Sequence, residues 1–313
     1  MRIASIDIGT NTVLLLIADV DDAGTISVVH EEQRIPRLGK NVDEHRTIRQ
    51  TAFDQILQIL NDFKDQSQRL HADRIIACGT SFLRDASNRE QFLSHIKQHT
   101  GISVEVLSGE DEALWTYRGA LSGLTISEKH CAVIDIGGGS TELSYGRSEM
   151  IVGIRDFARH SLQLGSVRLT ERYFQHLPPT PEELKAASRY IGKEIEKIHD
   201  SDFHRYELVG VAGTLTTLAC FDLGLENFDR QKISGYRLSF DVVGTWLDRL
   251  THLTANDIRE LSHCAKGRED IITAGVLILY EMMDAFAFPS VTVSERGLRF
   301  GLALREWEKI KNR

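Results

Sequence analysis

The chain contains no apolar run near the roughly 20 residues that a membrane-spanning helix requires, which excludes a spanning helix from its 313 residues. It has no basic surplus either: 37 Lys and Arg stand against 45 Asp and Glu, a formal net charge of -8. That balance argues against a general nucleic-acid binder, although local positive groups could still hold an anion. Cysteine is scarce. Cys78, Cys131, Cys220 and Cys264 are scattered without metal-ligand spacing. Their neighbours are apolar or small, so they are expected to be reduced residues of a cytoplasmic protein. The N-terminus runs straight into a strand pattern, Arg2-Ile3-Ala4-Ser5-Ile6-Asp7, with no signal-peptide pattern. No Pro-, Gly- or Ser-rich linker divides the chain. What is present is ordinary globular material, 42% hydrophobic and 26% charged, at a length suited to two domains of about 150 residues.

The pattern along the chain is strongly alternating. Residues 2–8, 13–20 and 25–31 predict strands, with 21–24 as a turn. Phe53, Ile56, Leu57, Leu60 and Phe63 form one helical stripe. A strand over 74–78, a helix over 89–99 and a strand over 103–107 follow. Ser108-Gly109-Glu110-Asp111 then opens a helix reaching about residue 121. The second half repeats the plan, with strands at 131–136, 141–145 and 150–154 and a helix at 167–174. Thr180-Pro181-Glu182-Glu183 is a capping box with proline at the first helical position. Residues 208–212 predict a strand, 241–250, 271–287 and 298–311 helices, and 291–293 a last strand. The expected organisation is a duplicated α/β fold with domains at 1–120 and 121–298, the first completed by a C-terminal helix over 299–313. The joint is expected at the helix after Ser108, above a cleft.

The chemistry concentrates in two Asp-x-Gly loops, Asp7-Ile8-Gly9-Thr10-Asn11-Thr12 and Asp135-Ile136-Gly137-Gly138-Gly139-Ser140-Thr141-Glu142. Each lies between two apolar runs. Glycine at positions 9, 137, 138 and 139 allows backbone N–H groups to converge on an anion. Thr10, Thr12, Ser140 and Thr141 add hydroxyl donors. Asp7 and Asp135, at strand ends, could hold a divalent cation, with Mg²⁺ (or Mn²⁺) preferred for its oxygen ligands. One such loop is an ordinary hairpin turn; two suggest a polyphosphate held between duplicated halves. A third glycine segment, Gly213-Thr214, ends a strand and opens a helix. It lacks the Rossmann and Walker spacings, and reads either as a helix cap or as a third wall of the same site.

Six ordered motifs carry a family resemblance. They are the first loop; Thr80-Ser81-Phe82-Leu83-Arg84-Asp85-Ala86-Ser87-Asn88; Ser108-Gly109-Glu110-Asp111-Glu112-Ala113; the second loop; the run from Ser161 to Thr170; and Ser294-Glu295-Arg296-Gly297-Leu298-Arg299-Phe300-Gly301. The chain resembles the exopolyphosphatase and guanosine-pentaphosphate phosphatase family, of the actin, sugar-kinase and Hsp70 (ribonuclease H-like) superfamily, over residues 3 to about 303. The resemblance implies the short, two-domain form. It makes Glu112 the catalytic residue, consistent with a carboxylate favoured by a helix N-terminus and able to accept a proton from water. Glu142 is implied as a metal or water-positioning ligand with Asp135, and Arg84 as a contact to the phosphate chain, for which a guanidinium's bidentate geometry is suited. Asn11 belongs to the first matched motif. Arg37, in Arg37-Leu38-Gly39, also falls at a family position. His263, Lys266, Arg268, Arg296 and Arg299 are candidates for a longer anion path, which solvated helix faces explain equally well. Leu114 stands where the family usually has arginine, which puts substrate preference in doubt.

The expected activity is hydrolysis of the terminal phosphate of inorganic polyphosphate or of guanosine pentaphosphate. Two other readings stay open: a non-catalytic sensor of guanosine tetra- or pentaphosphate, and a sugar or acetate kinase of the same superfamily. Binding without phosphate release would favour the sensor; ATP-dependent phosphorylation of a sugar would favour the kinase. Low processivity with short polyphosphate preferred is expected of a two-domain chain. A homodimer is the default expectation, with no nucleic-acid or membrane partner.

Overall fold

A computed structural model of the chain describes residues 1–125, 130–147, 157–198 and 203–311. The chain divides into two compact units, Met1–Ser122 with Gly297–Arg313, and Gly123–Arg296. Both are α/β, as the sequence predicts. No described helix is long and apolar enough to cross a membrane.

The first unit is built on β1 (Arg2–Ile8), β2 (Val13–Val20), β3 (Ile26–Arg34), β4 (Arg74–Gly79) and β5 (Val104–Val106), in the order β3-β2-β1-β4-β5. β1 runs antiparallel to β2 and parallel to β4. Alternate residues point to opposite faces. Ala4, Ile6, Ile8, Val13, Leu15 and Ile17 pack with Phe53, Ile56, Leu60 and Phe63 of the Gln50–Arg69 helix. Ile3, Leu16, Ala18 and Val20 pack instead with Phe300, Ala303 and Leu304 of the Leu298–Lys311 helix. With both faces covered, β1 and β2 carry nearly continuous apolar runs in place of alternation.

The C-terminal helix also lies against the Gly109–Leu121 helix, and two glycines set the spacing. A Cβ on Gly301 would stand 1.8 Å from the Trp115 carbonyl oxygen, and one on Gly119 would stand 2.2 Å from that of Gly297. Arg118 reaches across this contact, its Nη1 donating to Glu308 Oε2 at 2.8 Å.

The second unit repeats the plan with β6 (His130–Ile136), β7 (Thr141–Arg147), β8 (Ala158–Leu162), β9 (Glu207–Val211), β10 (Arg237–Ser239) and β11 (Ser290–Val293), in the order β10-β11-β9-β6-β7-β8. β6 is antiparallel to β7 and parallel to β9, as β1 is to β2 and β4. The duplication extends to register. Ile8 pairs with Val13 and Asp7 with Leu14; Ile136 pairs with Thr141 and Asp135 with Glu142. Its core gathers Ile134, Ile136, Leu143, Leu208 and Leu215 with Val276 and Ile278 of the Ile272–Ala285 helix.

Local signals hold where backbone chemistry dictates them. Thr180 Oγ1 accepts the Glu183 N–H at 3.2 Å and Glu183 Oε2 accepts the Thr180 N–H at 2.8 Å, closing the expected capping box. The strand expected at 150–154 lies outside the described residues. β8 was not expected. Its residues, Ala-Arg-His-Ser-Leu, sit on a sheet edge and show no apolar alternation. The expectation of four reduced cysteines is corrected as well: Cys220 and Cys264 form a disulfide, while Cys78 and Cys131 are free and buried. The pair stands 44 positions apart, so only the tertiary fold, by bringing the Ala212–Asp222 helix to the His263–Ala265 turn, makes it a pair.

Candidate active site

In the first unit the candidate site centres on Glu112. The Asp111 N–H donates to Ser108 Oγ at 3.0 Å, capping the Gly109–Leu121 helix and placing Glu112 in its first turn. Glu112 is 7% exposed, a depth that carboxylates rarely reach without a partner. The partner is Arg84, carried by the Ser81–Asp85 helix just beyond β4. Arg84 Nη1 donates to Glu112 Oε2 at 2.5 Å and to the Leu107 carbonyl at 3.1 Å. Sequence reading assigned Arg84 to a phosphate chain; the structure brings it to Glu112.

Burial pushes the Glu112 carboxyl above the ordinary carboxylate range, and the Arg84 guanidinium pulls it partway back. Since the folded group holds its proton more tightly than the unfolded one, its contribution favours the fold at low pH. That contribution is lost as pH rises through the folded value. Arg84→Gln should move Glu112 further upward. A carboxyl-carbon NMR titration of the free protein checks this, and an unchanged or lowered midpoint would contradict the pairing.

The first loop closes as a tight hairpin, Gly9 N–H donating to the Thr12 carbonyl at 2.9 Å. Thr10 and Asn11 are buried. Their carbonyls accept the N–H groups of Gly39 at 2.9 Å and Arg37 at 3.1 Å, so the Arg37-Leu38-Gly39 segment is strapped to this loop by its backbone. A Cβ on Gly39 would meet Thr10 Cγ2 at 2.5 Å, which accounts for glycine there. Asp7, the next-to-last residue of β1, lies between Leu14 on one side and Cys78 on the other.

The second loop has the same turn, Gly137 N–H to the Ser140 carbonyl at 3.0 Å, and Ser140, Thr141 and Glu142 are buried. Here the strand register does something the first unit does not. Asp135, Glu142 and Ser161 are direct partners across β6, β7 and β8. Directly opposed Cβ atoms lie about 5 Å apart on one face, and like charges so placed repel. Ser161 Oγ donates to Glu142 Oε1 at 2.8 Å, holding one of the two carboxylates. A divalent cation would turn the repulsion into a ligand pair. No group of three His, Cys, Asp or Glu that could hold a metal occurs among the described residues. A cation at Asp135 and Glu142 would therefore take its other ligands from water and phosphate oxygens, as Mg²⁺ commonly does. In the first unit Leu14 occupies the place of Glu142, so Asp7 faces no carboxylate across β1 and β2.

The third segment joins β9 to the Ala212–Asp222 helix through Ala212, whose φ of 70° is left-handed, a conformation costly for a residue with a Cβ. Thr214 is buried. A Cβ on Gly213 would lie 2.1 Å from Arg268 Nη1, so the glycine makes room for a guanidinium. Burial pushes that guanidinium down to about 10. Arg299 pairs with Glu31 at 2.7 Å, Arg296 lies 3.6 Å from Glu295, and His263 Nδ1 is 3.0 Å from Asn227 Oδ1. Lys266 is exposed. Sequence reasoning missed the part played by Ser161, which depends on a strand register that β8's polar composition conceals.

Residues 16–310 match the Ppx/GppA phosphatase family. The chain belongs to that family. Among curated Ppx/GppA relatives, Exopolyphosphatase 2 of Mycobacterium tuberculosis is 32% identical, the match covering 97% of this chain and 98% of the relative. The guanosine-5'-triphosphate,3'-diphosphate pyrophosphatase of Photobacterium profundum is 27% identical over 99% of this chain but only 60% of its own. Among solved structures, the Aquifex aeolicus Ppx/GppA family member aligns with a TM-score of 0.82 at 32% identity, covering 99% of this chain and 98% of its own. The exopolyphosphatase from Cytophaga hutchinsonii aligns with a TM-score of 0.88 at 26% identity, covering 99% and 98%.

Proposed function

We propose that the chain is an exopolyphosphatase that releases orthophosphate from the end of inorganic polyphosphate, with Glu112 accepting a proton from the attacking water. The observation that carries this reading is the placement of Glu112, buried at a capped helix start with the Arg84 guanidinium against it. A carboxylate whose proton affinity is raised by burial is a stronger base once ionised. The oxygen of water forms a bond to the terminal phosphorus, the bridging P–O bond breaks, and the shortened chain leaves as an anion. The attacking water's proton goes to Glu112. Polyphosphate is favoured over guanosine pentaphosphate because the exopolyphosphatase relative is matched over 98% of its own length and the guanosine pyrophosphatase over only 60%.

Loop N–H groups and hydroxyls would hold the phosphate oxygens, where fixed dipoles stabilise developing charge without reorganisation. Asp135 and Glu142 fit Mg²⁺ or Mn²⁺, which when bound neutralises phosphate charge. Ser161 orients Glu142 toward that duty. Ser161→Ala should therefore weaken Mn²⁺ binding about 10- to 100-fold, the usual cost of losing an outer partner of a metal ligand. Calorimetric titration of the substrate-free protein with Mn²⁺ measures it, and unchanged affinity would remove Ser161 and Glu142 from the cation site.

Phosphate release measured side by side on short polyphosphate, long polyphosphate and guanosine pentaphosphate tests the substrate. Faster turnover of either polyphosphate is the expected result. Faster turnover of guanosine pentaphosphate would reassign the chain as a guanosine pentaphosphate 5'-phosphohydrolase, and tight nucleotide binding without release would make it a sensor.

A further inference from the structure

We propose that Arg168 is a positioning residue, which locks the Gly137-Gly138-Gly139 loop with its N–H groups turned toward the phosphate. The proposal rests on the reading above that this loop holds phosphate, and it is carried by where the loop's carbonyl groups go. All three are taken up by one short segment, the start of the Ser166–Tyr173 helix. The Ser166 N–H donates to the Gly137 carbonyl at 2.9 Å, and the N–H groups of Val167 and Arg168 donate to the Gly138 carbonyl at 2.9 and 3.0 Å. The Arg168 side chain completes the set, its Nε donating to the Gly139 carbonyl at 2.6 Å.

Helix starts leave N–H groups without intrahelical acceptors, and this helix has no side-chain cap; the loop's carbonyls serve in its place. In a trans peptide the C=O and the following N–H point in opposite directions. Fixing the carbonyls of residues 137, 138 and 139 on the helix therefore turns the N–H groups of Gly138, Gly139 and Ser140 away from it. The approach is close enough that a Cβ on Gly165 would stand 2.3 Å from the Gly138 oxygen. Arg168 is only 3% exposed, a burial that arginine rarely accepts unless it is paired. The first loop has no such arrangement: backbone N–H groups of Arg37 and Gly39 take its carbonyls.

Of these donors, the guanidinium is a side chain that substitution can remove. In Arg168→Ala, hydrogen exchange at the Ser166 and Val167 N–H groups, which donate to the Gly137 and Gly138 carbonyls, should accelerate about tenfold in the free protein, the scale of one lost charge-assisted hydrogen bond. β6, β9 and the Ile272–Ala285 helix should keep their protection. KM for polyphosphate should rise by a similar factor with kcat held within a few-fold, and Arg168→Lys should fall between the variant and the parent. Unchanged exchange at Ser166 and Val167, or exchange accelerated alike throughout the second unit, would overturn the proposal. Should Arg168→Ala fail to fold, Arg168→Lys alone gives the same comparison, since it keeps the charge and loses the Nε donor. A parent protein that releases no phosphate from polyphosphate would sink the functional reading, while the exchange data would still decide whether Arg168 anchors the loop.

Discussion

Glu112→Gln is expected to lower kcat on polyphosphate by about 10²- to 10⁴-fold, the usual contribution of a positioned general base, with KM changed only a few-fold. Glutamine has the size of the native side chain, and its amide oxygen can still accept from Arg84 Nη1, which donates to Glu112 at 2.5 Å. What it cannot do is take a proton. The substitution also removes a carboxyl that burial already disfavours in its charged form, so the fold should survive it. Steady-state phosphate release together with a thermal melt separates the two effects. A variant that melts like the parent and turns over at nearly its rate would show that the proton leaves by another route.

The second large effect concerns stability. Gly301→Ala is expected to destabilise the first unit by about 3 kcal/mol, the upper range for forcing an extra carbon into a packed contact. The new methyl would meet the Trp115 carbonyl oxygen at 1.8 Å, and a backbone atom inside a helix cannot swing aside as a side-chain end can. The Leu298–Lys311 helix would have to lift from the Gly109–Leu121 helix. Phe300 and Ala303 of the same helix cover Ile3, Leu16 and Ala18, so the displacement would also loosen one face of the β1–β2 sheet. Urea denaturation measures the loss. A change below about 0.5 kcal/mol, the range of ordinary surface substitutions, would mean that the two helices are not held at this spacing.

Much of this was legible before folding because the physics is local. Residues 2–8 and 13–20 read as strands since both faces of their sheet are covered, which fills them with apolar side chains. Thr180 and Glu183 announced a helix start because capping is settled within four residues. The paired Asp-x-Gly loops were visible because a tight turn that exposes its N–H groups favours glycine. What stayed hidden depends on partners far along the chain. Arg84 meets Glu112 only because β4 and the helix after Ser108 are neighbours in space, and no spacing announces that. Ser161 reaches Glu142 through a polar edge strand with no readable period. The asymmetry between the halves lay in plain view as Leu14 against Glu142, but it gains meaning only once the two hairpins are known to share a register.

In the proposed reaction, water attacks the terminal phosphorus of polyphosphate. Hydrolysis of polyphosphate in ¹⁸O-labelled water tests this step. Each released orthophosphate should carry one oxygen from the solvent, and Glu112→Gln should slow this release without changing where the label goes. Unlabelled orthophosphate, with the label retained in the shortened chain, would place the attack on the neighbouring phosphorus and contradict it.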